Sequence, residues 1–282
     1  MTAPPVTPAL PEHVDLRLVV TDMDGTLLDG SGHAPPGLER TMERMGAHGV
    51  VLVPASGRQL ANIRAVLGPV AQDSPFIAEN GSYVVQGDEE IHSDTIAAAQ
   101  VRTAVTTTRE LAAAGQDIGA VVATKHRAYI DRGDRRFVNE CVHYYSELEV
   151  VDDLLALPLD EVLKVAVYSF GDIEREAAPT LAAAVPQVQT VVSGAHWTDM
   201  MSPRASKGRA LEALQRRLGV TPDQTAVFGD YLNDLELYEH SSLSFAMGNA
   251  HPQVLARARY TAPANTDHGV LSTVEALLDR MA

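Results

Sequence analysis

Two carboxylates two residues apart, Asp22 and Asp24, stand in the hexapeptide Asp22-Met23-Asp24-Gly25-Thr26-Leu27. One member of such a pair can attack as a nucleophile while the other moves a proton. The pair follows the apolar run Leu16-Arg17-Leu18-Val19-Val20-Thr21. A β-rich apolar run reads as a buried strand of a parallel sheet. Ligands of open α/β sheets bind beyond the carboxyl ends of the strands. Gly25 allows the backbone to turn tightly there. Alone, the hexapeptide also reads as a strand end with an acidic turn.

Three distant segments favour chemistry. Ser56, with Gly57 and Arg58, follows the short apolar run 50–54. Lys207 opens a helix within Ser206-Lys207-Gly208. Asp230 and Asp234 follow the run 225–228, in Gly229-Asp230-Tyr231-Leu232-Asn233-Asp234. The inventory is two reacting carboxylates, a hydroxyl, an ammonium and a second acidic pair. Phosphoryl transfer needs these parts, because a metal and cations must neutralise phosphate oxygens before an anionic nucleophile approaches.

The elements that must position these residues alternate. Strands are expected at 16–21, 50–54 and 75–78, with helices at 36–48 and 60–67. From about 87 to 195 the texture changes. There the pattern predicts a helix over 95–114, a strand pair near 118–123 and 128–131 and a helix over 134–148. A strand at 162–170, a helix at 173–184 and a strand at 187–192 follow. Strict alternation then returns: helix 206–218, strand 225–228, helix 233–240, strand 243–246, helix 252–258 and a closing helix over 270–281. Short strands separated by helices imply a parallel sheet. The fold class is therefore α/β, a Rossmann-like parallel-sheet core interrupted by an inserted α+β domain. The expected division is a core of 15–86 and 196–282, an insert of 87–195, and a disordered proline-rich lead-in over 1–14.

Composition narrows the partners. With 22 basic and 37 acidic residues the formal charge is −15, which disfavours nucleic acid and anionic membranes. No run approaches the length of a membrane span. The single cysteine, Cys141, precludes an intramolecular disulfide and suits a reducing, cytoplasmic setting. Its expected role is a half-buried small apolar residue.

The ordered set of segments resembles the haloacid dehalogenase superfamily of phosphatases, in particular the Cof-type subfamily with a large α/β cap of the C2B kind. The Asp22–Leu27, Ser56-Gly57-Arg58, Ser206-Lys207-Gly208 and Gly229–Asp234 motifs carry the likeness. Glu79-Asn80-Gly81, Ala246-Met247-Gly248-Asn249-Ala250 and Asp267-His268-Gly269-Val270 support it. The resemblance implies Asp22 as the nucleophile forming an aspartyl-phosphate, and Asp24 as general acid and then base. It implies Mg²⁺ held by Asp22, the Asp24 backbone carbonyl and Asp230, with Asp234 acting through water or by orienting the site. Ser56 and Gly57 would meet the phosphoryl group, Lys207 would neutralise it, and Asn233 would contact it or cap the following helix. Ser56 also reads as a helix cap, Lys207 as a surface lysine and Asp234 as an acid favoured by a helix dipole. Arg58 reads as a substrate or cap contact, or as a structural partner. Asn249 reads as a local turn stabiliser. Tyr231 and Gln59 depart from the common pattern.

The implied activity is Mg²⁺-dependent hydrolysis of phosphomonoesters of small metabolites, sugar phosphates foremost, with the cap selecting the leaving group. A phosphomutase or other phosphotransferase would share the Asp22 chemistry. A non-catalytic phosphate sensor is disfavoured by the joint presence of Asp22, Asp24, Lys207 and Asp230. The cations His126, Arg127, Arg132, Arg135 and Arg136 offer a second anion contact or, more simply, a solvated face.

Overall fold

Short β-rich runs with little polar character can be buried on both faces, and such runs build the sheet that carries the motifs. The computed structural model describes residues 9–281. It divides into two units: one takes in the described residues up to His92 and those from Ser206 onward, the other Ser93–Ala205.

In the first unit, β1 (Leu18–Thr21), β2 (Val51–Pro54), β3 (Thr225–Gly229), β4 (Leu243–Met247) and β5 (Tyr260–Ala262) form a sheet in the order β5-β4-β3-β1-β2. All of its neighbours pair in parallel. Residues of β1, β3 and β4 are buried throughout, which explains why their sequences do not alternate. The register sets Phe228, Phe245 and Tyr260 side by side. Their rings stack with centroids 4.8 and 5.1 Å apart. Ala55, just past β2, bridges to Ile77 in the strand Pro75–Ala78, which belongs to a separate three-stranded sheet with Tyr83–Gln86 and Glu89–Ser93.

Helices α1 (Leu38–Ala47), α2 (Leu60–Leu67) and α3 (Lys207–Leu218) belong to this unit. The start of α3 is fixed by Ser206, whose side chain accepts from the Arg209 N–H, and its end by Gly219 in the left-handed region. Both are residue types that favour those positions. The consequence is that Lys207 lies in the first turn.

The second unit is built on six strands in the order Gln189–Val192, Trp197–Met201, Val162–Ser169, Ile118–Thr124, Ala128–Ile130, Leu148–Val150. Alternation along the strands makes two cores. Ile118, Ala120, Val122, Val165 and Val167 share one with Val101, Val105, Ile173 and Leu181. Val121, Ala123, Ala166 and Tyr168 share the other with Phe137, Cys141 and Tyr145.

Several expectations are corrected in detail. Trp197–Met201 pairs antiparallel with both Gln189–Val192 and Val162–Ser169, so 196–205 goes with the insert rather than with the core. The helix expected over 134–148 covers only Arg135–Val142, and Leu148–Val150 is a strand. The helix expected over 173–184 is two short helices that break at Ala177, with Pro179 opening the second, because proline lacks the N–H a continuing helix requires. Strand β5 was not expected at all. Of the lead-in, residues 1–8 lie outside the described residues. Residues 9–14 form no helix or strand, and the Val14 N–H donates to the Arg280 carbonyl at 3.1 Å. No helix among the described residues is long and apolar enough to cross a membrane.

Phe245 is 1% exposed between two stacked rings. Phe245→Ala should cost about 3–5 kcal/mol and Phe245→Leu far less, since only the former leaves a large cavity. Urea unfolding of the two variants beside the parent chain measures the difference.

Candidate active site

The end of β1 turns sharply. The Leu27 and Leu28 N–H groups donate five residues back, to the carbonyls of Asp22 and Met23 at 3.2 and 2.8 Å. Gly25 permits the turn at φ +78°, a region that L side chains avoid. A Cβ there would also fall 2.4 Å from Asp230 Oδ2. Thr26 uses the closeness: its hydroxyl donates to Asp230 Oδ1 at 2.9 Å.

Lys207 lies at the centre. Its side chain is fully buried, and Nζ donates to Asp22 Oδ1 at 2.5 Å and to Asp234 Oδ1 at 2.7 Å. Burial alone would push the ammonium toward its neutral form, but the pull of Asp22 and Asp234 outweighs it, and its pKa rises above the ordinary lysine value. Burial also raises the Asp22 carboxyl well above the usual range; Lys207 opposes this, while Asp234 and Asp230 add to it. Asp230 is raised in the same direction, again chiefly by burial, with the Thr26 hydrogen bond opposing it. These are the shifts expected of like charges gathered in a low-dielectric site.

Asp234 is fully buried. Its Oδ1 takes Lys207 Nζ, and its Oδ2 accepts the N–H groups of Asp230 and Tyr231 at 3.0 and 3.2 Å. It therefore caps its own turn and holds the central cation at once. Carboxylate oxygens of Asp22, Asp230 and Asp234 lie within 4.8 Å of one another. Three carboxylates facing one ammonium leave a net negative set of hard oxygens, a donor set that fits a divalent cation such as Mg²⁺ better than zinc.

Asp24 points elsewhere. Arg58 grips it with two parallel hydrogen bonds, Nε to Oδ2 at 2.7 Å and Nη2 to Oδ1 at 2.5 Å, and reaches Asn62 Oδ1 at 2.8 Å. Of the readings open for Arg58, pairing within the site is the one observed. Ser56 is buried, and its hydroxyl accepts the Arg58 N–H at 3.2 Å. It does not cap α2, whose first flanking residue is Gln59. Asn233 donates through Nδ2 to Asn80 Oδ1 at 3.1 Å.

Asp22, Lys207, Asp230 and Asp234 thus form one bonded cluster, with Asp24 and Ser56 joined through Arg58. Sequence reasoning missed three parts. Thr26 was visible only as a motif member. Asn80 was visible only as a turn signal. Asn249 is more than a local stabiliser: its Nδ2 donates to the Gly25 carbonyl at 2.8 Å and its Oδ1 accepts the Asn265 N–H at 3.0 Å. No local pattern signals partners that far apart in the chain. In the other unit, Arg127 pairs with Glu149, Arg132 with Asp117 and Asp134, Arg136 with Asp117, and His126 with Glu161. The three arginines are neutralised locally. The Cys141 thiol is buried and its pKa is pushed up to about 12 by burial, so it is no nucleophile.

With this geometry in view, the chain belongs to the haloacid dehalogenase-like hydrolase family, whose model matches residues 19–274. It is an enzyme of the phosphatase class, a phosphoric monoester hydrolase. It is 28% identical over 279 residues to the 5-amino-6-(5-phospho-D-ribitylamino)uracil phosphatase YbjI of Escherichia coli K12, covering 95% of this chain and 98% of that protein. Two solved structures share the fold. A haloacid dehalogenase-like hydrolase from Bacteroides thetaiotaomicron matches with TM-score 0.84 at 20% identity, over 93% of this chain and 99% of that one. The HAD subclass IIB sugar phosphatase matches with TM-score 0.75 at 19% identity, over 92% and 98%.

Lys207→Met would leave Asp22 and Asp234 buried without a counter-charge. The expected cost is about 3–5 kcal/mol at neutral pH. A buried carboxyl with a raised folded-state pKa contributes more stability as pH falls through that pKa, so the deficit should shrink on acidification. Denaturant unfolding of the variant and parent across pH 5–8 reads both effects.

Proposed function

We propose that the protein hydrolyses phosphomonoesters of small metabolites, phosphorylated sugars and sugar alcohols first among them, through an aspartyl-phosphate on Asp22. The observation that carries this reading is the buried Lys207 ammonium bonded to both Asp22 and Asp234, with Asp230 beside them. A nucleophile, a fixed cation and a cation-binding acidic set are the minimum equipment for moving a phosphoryl group. The substrate class follows the relatives: YbjI acts on a phospho-ribityl compound by its name, and a neighbour of the same fold is a sugar phosphatase. A cytoplasmic setting suits such substrates and a chain whose one cysteine is unpaired.

In this mechanism an Asp22 carboxylate oxygen attacks phosphorus, and the bond from phosphorus to the ester oxygen breaks. Asp24 turns one oxygen from Arg58 toward the leaving alkoxide and gives it a proton. Asp24 then takes a proton from water, the water oxygen attacks phosphorus, and the bond to Asp22 breaks to release inorganic phosphate. Lys207 balances charge on the phosphoryl oxygens and keeps Asp22 aimed. Ser56, Gly57 and Asn233 contact the phosphoryl group. Asp22, the Asp24 carbonyl and Asp230 would hold Mg²⁺, with Asp234 orienting their loop. When bound, the ion neutralises charge on the phosphoryl oxygens. The inserted unit supplies leaving-group choice.

Asp22→Asn should abolish phosphate release while the fold is kept, because an amide cannot form the acyl-phosphate. Asp24→Asn should fall by roughly a hundredfold or more on alkyl esters and by much less on p-nitrophenyl phosphate, whose leaving group needs no proton. A phosphate-release screen over sugar phosphates, sugar-alcohol phosphates, nucleotides and flavin mononucleotide makes the comparison. A well-folded Asp22→Asn protein with parental turnover sinks the mechanism.

The metal has its own readout. Mg²⁺ at about a hundred times its Kd should stabilise the protein by about 2.7 kcal/mol, seen as a rise in Tm, and Asp230→Asn should lose that rise. Ca²⁺ should bind yet activate poorly, because its looser coordination misplaces the nucleophile. Phosphate release that persists in full after exhaustive chelation contradicts the assignment.

A further inference from the structure

Two consecutive non-glycine residues, Glu79 and Asn80, hold left-handed backbone at φ +49° and +56°. Asparagine tolerates this region; glutamate seldom enters it. Strain of this kind persists where surrounding contacts over-determine the chain, and it clusters at functional sites. Here the contacts run to three separate segments of the site. The Asn80 N–H donates to the Ser56 carbonyl at 2.9 Å, and the Glu79 N–H to the Arg58 carbonyl at 3.1 Å. Asn80 Oδ1 accepts from Asn233 Nδ2 at 3.1 Å. The Asn80 side chain also packs on Gly57, where a Cβ would lie 2.9 Å from Oδ1. Next along, Gly81 presses on the residue before Lys207: a Cβ there would lie 2.2 Å from the Ser206 carbonyl oxygen.

We infer that Asn80 is a positioning residue for the phosphate pocket. It sets Asn233 against the Ser56-Gly57 loop. One N–H of the Asn233 amide is spent on Asn80, which fixes the amide plane and directs the second N–H to a phosphoryl oxygen. The strained turn ties the two segments together through Asn80. The inference deepens the phosphatase reading and rests on its use of Asn233 as a phosphate contact.

Glycine separates the backbone from the side chain at this position. Asn80→Gly accepts the left-handed conformation and deletes the amide, so Tm should stay at or above that of the parent. The inhibition constant of inorganic phosphate should rise about threefold to tenfold, the weight of one or two neutral hydrogen bonds, and KM should follow it. Asn233→Ala should show a similar loss, and the double variant should be no worse than Asn233→Ala alone, as expected of residues acting through one another. Asn80→Asp keeps an acceptor for Asn233 but adds a negative charge, and should bind phosphate more weakly still. Parental phosphate inhibition in folded Asn80→Gly, or losses that multiply in the double variant, overturns the inference. If the parent protein binds inorganic phosphate but turns over no ester, the hydrolase reading fails while the binding comparison still decides the role of Asn80. If the parent binds no phosphate, both fail.

Discussion

A lysine ammonium with no solvent exposure is the constraint around which the core unit is arranged. Lys207 is buried by 0% side-chain exposure between Asp22 and Asp234, and an uncompensated charge in that position would be prohibitively costly. Both partners must therefore be delivered to one point. Asp22 arrives at the carboxyl end of β1 and Asp234 in the turn after β3, which pair as direct neighbours in the sheet. Lys207 arrives because Ser206 starts α3 one residue earlier. The adjacency of β1 and β3, separated by some two hundred residues of chain, is thus enforced by hydrophobic burial of the strands and by electrostatics at their ends together.

The same economy of space governs the loops. Gly25 lies so close to Asp230 that no side chain fits between them, and Thr26 and Asn249 lock that approach with side-chain hydrogen bonds. An acidic cluster of this density is stable only with cations to share, and the arrangement supplies one permanent cation, Lys207, and a donor set suited to a divalent one. Burial raises the carboxyl pKa values of Asp22 and Asp230, and repulsion from Asp234 adds to both. A divalent cation held there would relieve that repulsion. The second unit follows ordinary packing rules instead, with an apolar core on each face of its sheet and with Arg127 and Arg132 paired with nearby acids.

What the chain declares by itself is residue type and period. The β-rich runs ending at Thr21, Pro54 and Phe228 announce buried parallel strands, and the motifs stand where such strands end, so the α/β class was legible, as were Asp22, Lys207, Asp230 and Asp234 as residues that the fold brings together. The helix over 206–218 was legible from its pattern, while the capping roles of Ser206 and Gly219 are seen in the structure. Element ends that depend on partners were not legible. Leu148–Val150 becomes a strand only by pairing with Ala128–Ile130, and Trp197–Met201 joins the insert only through its two antiparallel neighbours. The tertiary structure alone decided that Arg58 holds Asp24, that Thr26 serves Asp230, and that Asn80 and Asn233 share a hydrogen bond. Periodicity reports the environment of a residue on its own element. A hydrogen bond between side chains 34, 204 or 153 residues apart depends on where two folded segments meet, and no local pattern encodes that meeting.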